Sequence, residues 1–269
     1  MRHRRLTWAH LLATLFALGT VLPFVAVLVL ALSPAGEPTL PHTWPERLTL
    51  DNIQATLQAS NFLKWTWNSF LYAAVSVVVI LLTAAMAGYA FAKKRFPGRE
   101  AIFWSFLATL MVPTQATLIP MFLLVSQLDG VDTYWGLIVP TLANSQAVFL
   151  MRQFIRDLPD ELFDAAKVDG AGEWRTFAQI VLPLTRPILA TLGIFVFLWH
   201  WNDFLWPLVM AQTDGMRTLT VGLSTLNTES VPHAQLMAGA LITVIPCLVI
   251  FFALQRHIVA SIASTGIKG

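Results

Sequence analysis

Long uncharged runs alternate with short bursts of charge along this chain. The runs cover residues 6–36, 65–92, 101–128, 133–151, 187–202 and 230–255, the fifth continuing to 213 past the single charge of Asp203. A helix needs about 20 apolar residues to cross a hydrocarbon core. The runs therefore predict six transmembrane helices, near 10–32, 67–92, 101–126, 134–153, 187–209 and 236–256. The expected fold class is an all-α membrane protein, with 1–269 forming a single transmembrane domain.

Composition supports the pattern. The chain is 56% hydrophobic and 12% charged, with a mean hydropathy of +0.65, whereas soluble domains carry about a quarter charged residues. A net charge of +2 is too small to suggest a nucleic-acid partner. Cys247 is the sole cysteine, so an intrachain disulfide or a Cys-based metal site is excluded. The histidines His3, His10, His42, His200, His233 and His257 have no metal-ligand spacing, and His200 reads as buried and neutral. No Gly-Lys-Ser/Thr occurs, so the chain itself has no loop of that kind for ATP.

Charge placement gives the orientation. Arg2, Arg4, Arg5, Lys93, Lys94, Arg95, Arg99, Arg152, Arg156, Lys167, Arg175, Arg186, Arg256 and Lys268 fall on the N-terminal side. Only Arg47, Lys64 and Arg217 fall on the other. Both termini are expected in the cytoplasm. The start "MRHRR" resembles a signal peptide, but Leu11–Leu32 is longer than the 7–15 residues of an apolar signal core, which predicts an uncleaved helix. The outer loop 33–66, with Pro34, Pro38, Pro41 and Pro45, is expected to hold a short helix near 50–60 capped by Asp51. "KKRFPGRE" (93–100) reads as a short basic turn that sets topology.

The segment 154–186 is too long for a mere link. "RDLPDELFDAAKVDG" predicts a short helix. Pro159 suits its first turn, acids Asp160, Glu161 and Asp164 favour its positive end, and Gly170 stops it in a left-handed conformation. A second helix is expected from Glu173, with Trp174, Phe177 and Ile180 or Val181 as one apolar stripe and Pro183 as its end. Together they make an elbow of small residues. By composition it either lies flat on the membrane surface or docks against another protein.

"DAAKVDGAGEWRTFAQIVLP" resembles the coupling motif of ABC-importer permeases, through Ala165, Ala166, Gly170, Ala171, Phe177, Ile180, Leu182 and Pro183. Asp164 stands where that family usually has Glu, which keeps the charge and changes its reach. "MVPTQATLIPMFLLV" (111–125), "FLWHWNDFLWPLV" (197–209) and "LQRHIVASIASTGIKG" (254–269) resemble the carbohydrate-uptake subgroup, similar to the maltose-system permeases. The resemblance implies a permease subunit of a carbohydrate or polyol importer in a prokaryotic inner membrane, surrounded by lipid. It implies a coupling loop (157–183) that docks on a cytoplasmic ATPase; the tail 260–269 either reaches the same interface or is a flexible end. It also implies a second homologous permease, two copies of the ATPase that use ATP and Mg, and an extracytoplasmic sugar-binding protein. No cofactor is expected on this chain.

A substrate path has weaker pointers. Trp199, Asn202, Asp203 and Trp206 stand at i, i+3, i+4 and i+7, one face of a continuous helix. Aromatic rings beside amide and carboxylate acceptors suit a sugar; an interfacial belt with Asn202 and Asp203 joining helices is the structural alternative. Gln115, Asn144 and Gln146 are further pathway candidates, or polar glue. Pro113, Pro120, Pro140 and Pro246 are expected to bend their helices. The rival function is a self-contained secondary transporter or channel with Asp203 as its ion or proton site.

Overall fold

A computed structural model describes residues 2–35, 45, 47–59, 61–226 and 231–265, with side chains described between 10 and 253. All regular structure among the described residues is helical. In chain order the helices are α1 (Arg2–Ala31), α2 (Asp51–Gln58), α3 (Phe62–Lys93), α4 (Arg99–Thr109) and α5 (Thr114–Gln127). Next come α6 (Tyr134–Ile138), α7 (Ser145–Arg156), α8 (Glu161–Val168), α9 (Glu173–Thr176) and α10 (Leu182–Leu184). The last are α11 (Arg186–Trp201), α12 (Leu205–Met210), α13 (Leu219–Leu226) and α14 (His233–Thr265).

Three helices are each long and apolar enough to cross a membrane: His10–Ala31, Phe62–Lys93 and His233–Ala253. Two bent pairs qualify when each is taken as one span, raising the number to five. They are Arg99–Thr109 with Thr114–Gln127, bent by 100°, and Glu173–Leu184 with Arg186–Trp201, bent by 74°. The sequence pattern therefore overstated continuity. The predicted span 101–126 breaks where Pro113 becomes the N-cap of α5. The predicted span 134–153 is three pieces: α6, a 3-10 turn over Val139–Thr141 holding Pro140, and α7. Pro120 and Pro246, by contrast, lie inside helices that continue through them.

Two compact units account for the chain, Met1–Trp65 with Leu219–Cys247 and Thr66–Thr218 with Leu248–Gly269. In the first unit, α2 forms where a short helix was expected. Asp51 is its first residue rather than its cap, and its N–H donates to Thr49 Oγ1 at 3.1 Å. Asn52 Nδ2 donates to the carbonyls of Ala31 (3.0 Å) and Ser33 (2.6 Å), satisfying free carbonyls at the buried end of α1. Gly222 lies flat against the Trp65 ring, where a side chain would collide. Residues 36–44, including the predicted loop prolines Pro38 and Pro41, and tail residues 266–269 lie outside the described set.

In the second unit, α3 is the central element. Its apolar run contains no proline, so its hydrogen-bond ladder is uninterrupted. Ile80, Ala84, Ala85, Tyr89 and Phe91 of α3 share one buried cluster with Met151 of α7, Phe163 of α8, and Leu192 and Val196 of α11. Gly88 lets α3 approach α7 closely: a β-carbon there would stand 2.7 Å from Met151 Cβ. Tyr72, further back on α3, belongs to a second cluster with Val125, Leu137, Trp206 and Met210.

Candidate functional site

The elbow predicted over 157–183 is present and its first half follows local rules. Glu161 and Asp164 occupy the first turn of α8, near the positive end of its dipole. Gly170 takes φ +69°, the left-handed conformation expected of it. Its N–H donates to Lys167 O (3.0 Å) and the Ala171 N–H to Ala166 O (2.9 Å). These two bonds form the paired C-terminal cap that glycine permits.

The second half departs from expectation. After α9 the backbone widens into a π-helical turn over Phe177–Val181, and helix continues through Pro183 to Leu184. Pro183 has no N–H to return, and the preceding wide turn accommodates it. The chain bends at Thr185 instead, whose N–H (2.9 Å) and hydroxyl (2.8 Å) both donate to Val181 O. The predicted stripe is split: Phe177 and Val181 are buried, but Trp174 is 72% exposed.

The residues expected to couple therefore divide into an inner and an outer set. Ala166 and Phe177 face the buried cluster, while Asp164, Ala165 and Gly170 are exposed and Ala171 is half-buried. Asp164 Oδ1 accepts from Lys167 Nζ at 2.9 Å, both side chains being largely exposed. Val168, 88% exposed, stands with Trp174 among these polar groups, and Leu162 is partly exposed. Spacing arguments missed Val168 and Leu162. Their signal was apolar residues inside a charged segment with no partner of their own in the pattern.

Spacing also missed what holds the elbow. Lys93 Nζ donates to Asp160 Oδ1 (2.6 Å) and to Leu158 O (2.7 Å), and lies 4.9 Å from the centre of the Phe163 ring. Lys94 pairs with Glu173 and sits 4.8 Å over the Tyr89 ring. The Tyr89 hydroxyl donates to Glu173 Oε2 at 3.1 Å, and its ring stacks on Phe163. The Lys93 hydrogen bond, then its charge, holds the Asp160 carboxyl below its ordinary range. The Lys94 hydrogen bond does the same to Glu173. The "KKRFPGRE" turn is thus more than a topology signal: its first two lysines grip both arms of the elbow. Further along it, Glu100 accepts from Arg99 (2.8 Å) and Arg152 (2.9 Å).

The predicted pathway face does not form. The helix stops at Trp201 and restarts at Leu205, so Trp199, Asn202, Asp203 and Trp206 do not share one surface. Trp199 and Asn202 are exposed, and Asn202 Nδ2 turns back to Leu198 O at 2.7 Å. Trp206 is buried and its Nε1 donates to Leu137 O at 3.0 Å. Asp203 accepts the Tyr72 hydroxyl at 2.9 Å and the backbone N–H groups of Phe204 and Trp206, one residue before the N-cap of α12. His200 is buried as expected, bonded to Val196 O (2.8 Å) and edge-on to Tyr72. Asn144 is a helix cap, its Oδ1 accepting from Ala147 N at 2.8 Å. Gln115 and Gln146 are exposed on the first turns of α5 and α7.

Comparison with known proteins adds the following. Residues 80–264 match the family model of the binding-protein-dependent transport system inner membrane component. The arabinooligosaccharides transport system permease protein AraQ of Halalkalibacterium halodurans is 40% identical over 231 residues, covering 84% of this chain and 81% of its own. The lactose transport system permease protein LacG of Rhizobium radiobacter is 38% identical over 194 residues, covering 72% and 71%. The sn-glycerol-3-phosphate permease protein UgpE of Yersinia pestis is 34% identical over 228 residues, covering 84% and 81%. A chain in the crystal structure of a bacterial ABC transporter involved in the import of the acidic polysaccharide alginate has the same fold. Its TM-score is 0.83 at 23% identity, over 95% of this chain and 98% of that one.

Proposed function

Because the chain belongs to the family of binding-protein-dependent transport system inner membrane components, we propose that its elbow is the lever by which a separate ATPase drives transport. The chain is a transport subunit of a sugar-type ABC importer and not itself an enzyme. Six crossings carry it through the inner membrane with both termini in the cytoplasm, the short pieces α6 and α7 completing the fourth. A second, homologous permease forms the path with it. Two ATPase copies, which use ATP and Mg, sit beneath, and an extracytoplasmic binding protein delivers a carbohydrate or polyol. Closure of the ATPase pair moves the elbow, and the helices exchange inward- and outward-facing states.

One observation carries this reading: Val168 and Trp174 project from a charged elbow whose other side is pinned to the fold. Exposed apolar side chains on an ordered, polar-rimmed protrusion mark a protein contact. Asp203, engaged by Tyr72 and by the amides of α12, supports a structural or gating role over an ion site. The test is a Val168→Ser/Trp174→Ala variant co-expressed with its partners. The expected result is loss of the ATPase from the purified complex with an unchanged melting temperature for the permease. Full ATPase retention with full ATP-dependent uptake would sink the reading. The sugar class is checked by the melting shift each candidate sugar produces on the binding protein that co-purifies.

A further inference from the structure

We propose that α3, from Tyr72 to Lys93 with the adjoining Lys94, is a strut that carries movement of the elbow to the break between α11 and α12. The inference rests on the reading of the chain as an ATP-driven permease subunit.

One end of the strut holds the elbow by both arms. Lys93 reaches the first arm, bonding Asp160 Oδ1 and the carbonyls of Leu158 (2.7 Å) and Arg156 (3.4 Å) where α7 gives way to α8. Lys94 reaches the second arm at Glu173, which also accepts from Tyr89. The two arms lie on either side of the Gly170 stop. The elbow therefore cannot shift as a body unless the end of α3 follows or these charge-assisted bonds break. The Lys93 side chain is only 9% exposed although Asp160 is open to water, and its part-buried bond to Leu158 O is the one solvent does not readily replace.

The other end holds the break. Tyr72 precedes Tyr89 by seventeen residues, ~26 Å along a helix. Its hydroxyl donates to Asp203 Oδ2 at 2.9 Å, and its ring meets His200 edge-on at 4.9 Å. Asp203 lies between Asn202, where α11 closes, and Phe204, the N-cap of α12. A shift of Tyr72 thus acts on the joint between two helical pieces rather than on the middle of one.

The stretch between the ends is built to move as one piece. It has no proline, unlike the two bent spans. Its cytoplasm-side residues share a buried cluster with Phe163, Phe177 and Val181 of the elbow, and Tyr72 shares another with Trp206 and Met210. Interiors packed this tightly transmit displacement rather than absorb it.

The test uses the full complex in proteoliposomes, with Leu205→Cys as a reporter at the break in a Cys247→Ser background. Maleimide labelling of that cysteine is timed with and without ATP plus vanadate, and ATP hydrolysis is measured on the same samples. Trapping is expected to change the labelling rate about fivefold or more, the usual range of an allosteric coupling. Tyr72→Phe removes only the hydroxyl and is expected to abolish that change while hydrolysis persists. Asp203→Asn keeps an acceptor for Tyr72 and is expected to retain most of it. Lys93→Met/Lys94→Met is expected to match Tyr72→Phe, and combining the two is expected to add nothing, because one strut is cut at either end. A retained response in Tyr72→Phe, or additive losses, overturns the strut alone. Equal loss of hydrolysis and response in Tyr72→Phe makes its role merely structural and overturns it as well. No ATP response in the unmodified strut overturns the strut together with the reading of the chain as an ATP-driven subunit.

Discussion

The elbow and the α11–α12 break treat polar and apolar groups in opposite ways. On the elbow, Asp164 and Lys167 pair in the open, and Val168 and Trp174 stand exposed among them. At the break, Tyr72, His200 and Asp203 bond to one another or to the backbone, and Trp206 is buried with its N–H satisfied. The first surface still has apolar area to remove from water, which is what a partner supplies. At the second, Tyr72, His200 and Asp203 are partnered within the chain although Trp199 and Leu205 stand exposed beside them, and change among these polar groups requires exchanging one set of internal bonds for another.

The contrast is broken most forcefully from the inner side of the elbow. Phe177→Ala should lower unfolding stability in detergent by about 3–5 kcal/mol, the usual cost of emptying a buried aromatic site, whereas Trp174→Ala should leave it within error. Second in size is the break. Asp203→Ala removes the acceptor for Tyr72 and for the N–H groups of Phe204 and Trp206, and should cost about 2–4 kcal/mol in the same measurement. Asp203→Asn should cost distinctly less. Third, Gly170→Ala forces an L side chain into φ +69° and should cost about 1–2 kcal/mol, with local hydrogen exchange at α8 rising first.

Acid sharpens the comparison further. Asp160 and Glu173 have folded pKa values lowered by the hydrogen bonds of Lys93 and Lys94. Their contribution is complete above the ordinary carboxylate range, about pH 4, and is lost as pH falls through the lowered values. Amides of α8 and α9 should therefore lose exchange protection below about pH 4 before those of α12 do. The smallest effect belongs to Lys167→Ala, which opens an exposed pair and should shift stability by under about 0.5 kcal/mol.

How much of this was legible in sequence differed between the two regions for a physical reason. The elbow obeys short-range rules. Acids at a helix start and a left-handed glycine at its end act over a few residues, and Glu161, Asp164 and Gly170 behaved accordingly. The break required judging whether helix continues, and the i, i+3, i+4, i+7 count over Trp199–Trp206 assumed that it does. Consecutive Asn202 and Asp203, followed by Pro207 in the next first turn, carry the contrary signal: polar groups that cap, then a residue suited to a helix start. Asn144, a pathway or polar-glue candidate by its type, has a local role that spacing did not show: it caps α7. The grip of Lys93 and Lys94 could not be read at all. It depends on residues about 65 to 80 positions away, and no local pattern encodes that distance.

Gly170 has a stereochemical consequence. Nothing lies within 4 Å of where its β-carbon would be, so the obstacle to a side chain is handedness and not space. At φ +69° the backbone there is in the basin natural to a D-amino acid. A D-alanine placed at this position by semisynthesis would restrict the unfolded chain while fitting the folded one. It would stiffen the elbow where L-alanine weakens it, and the two mirror-image methyl groups would separate what the turn requires of the chain's chirality from what a docked partner requires of its surface.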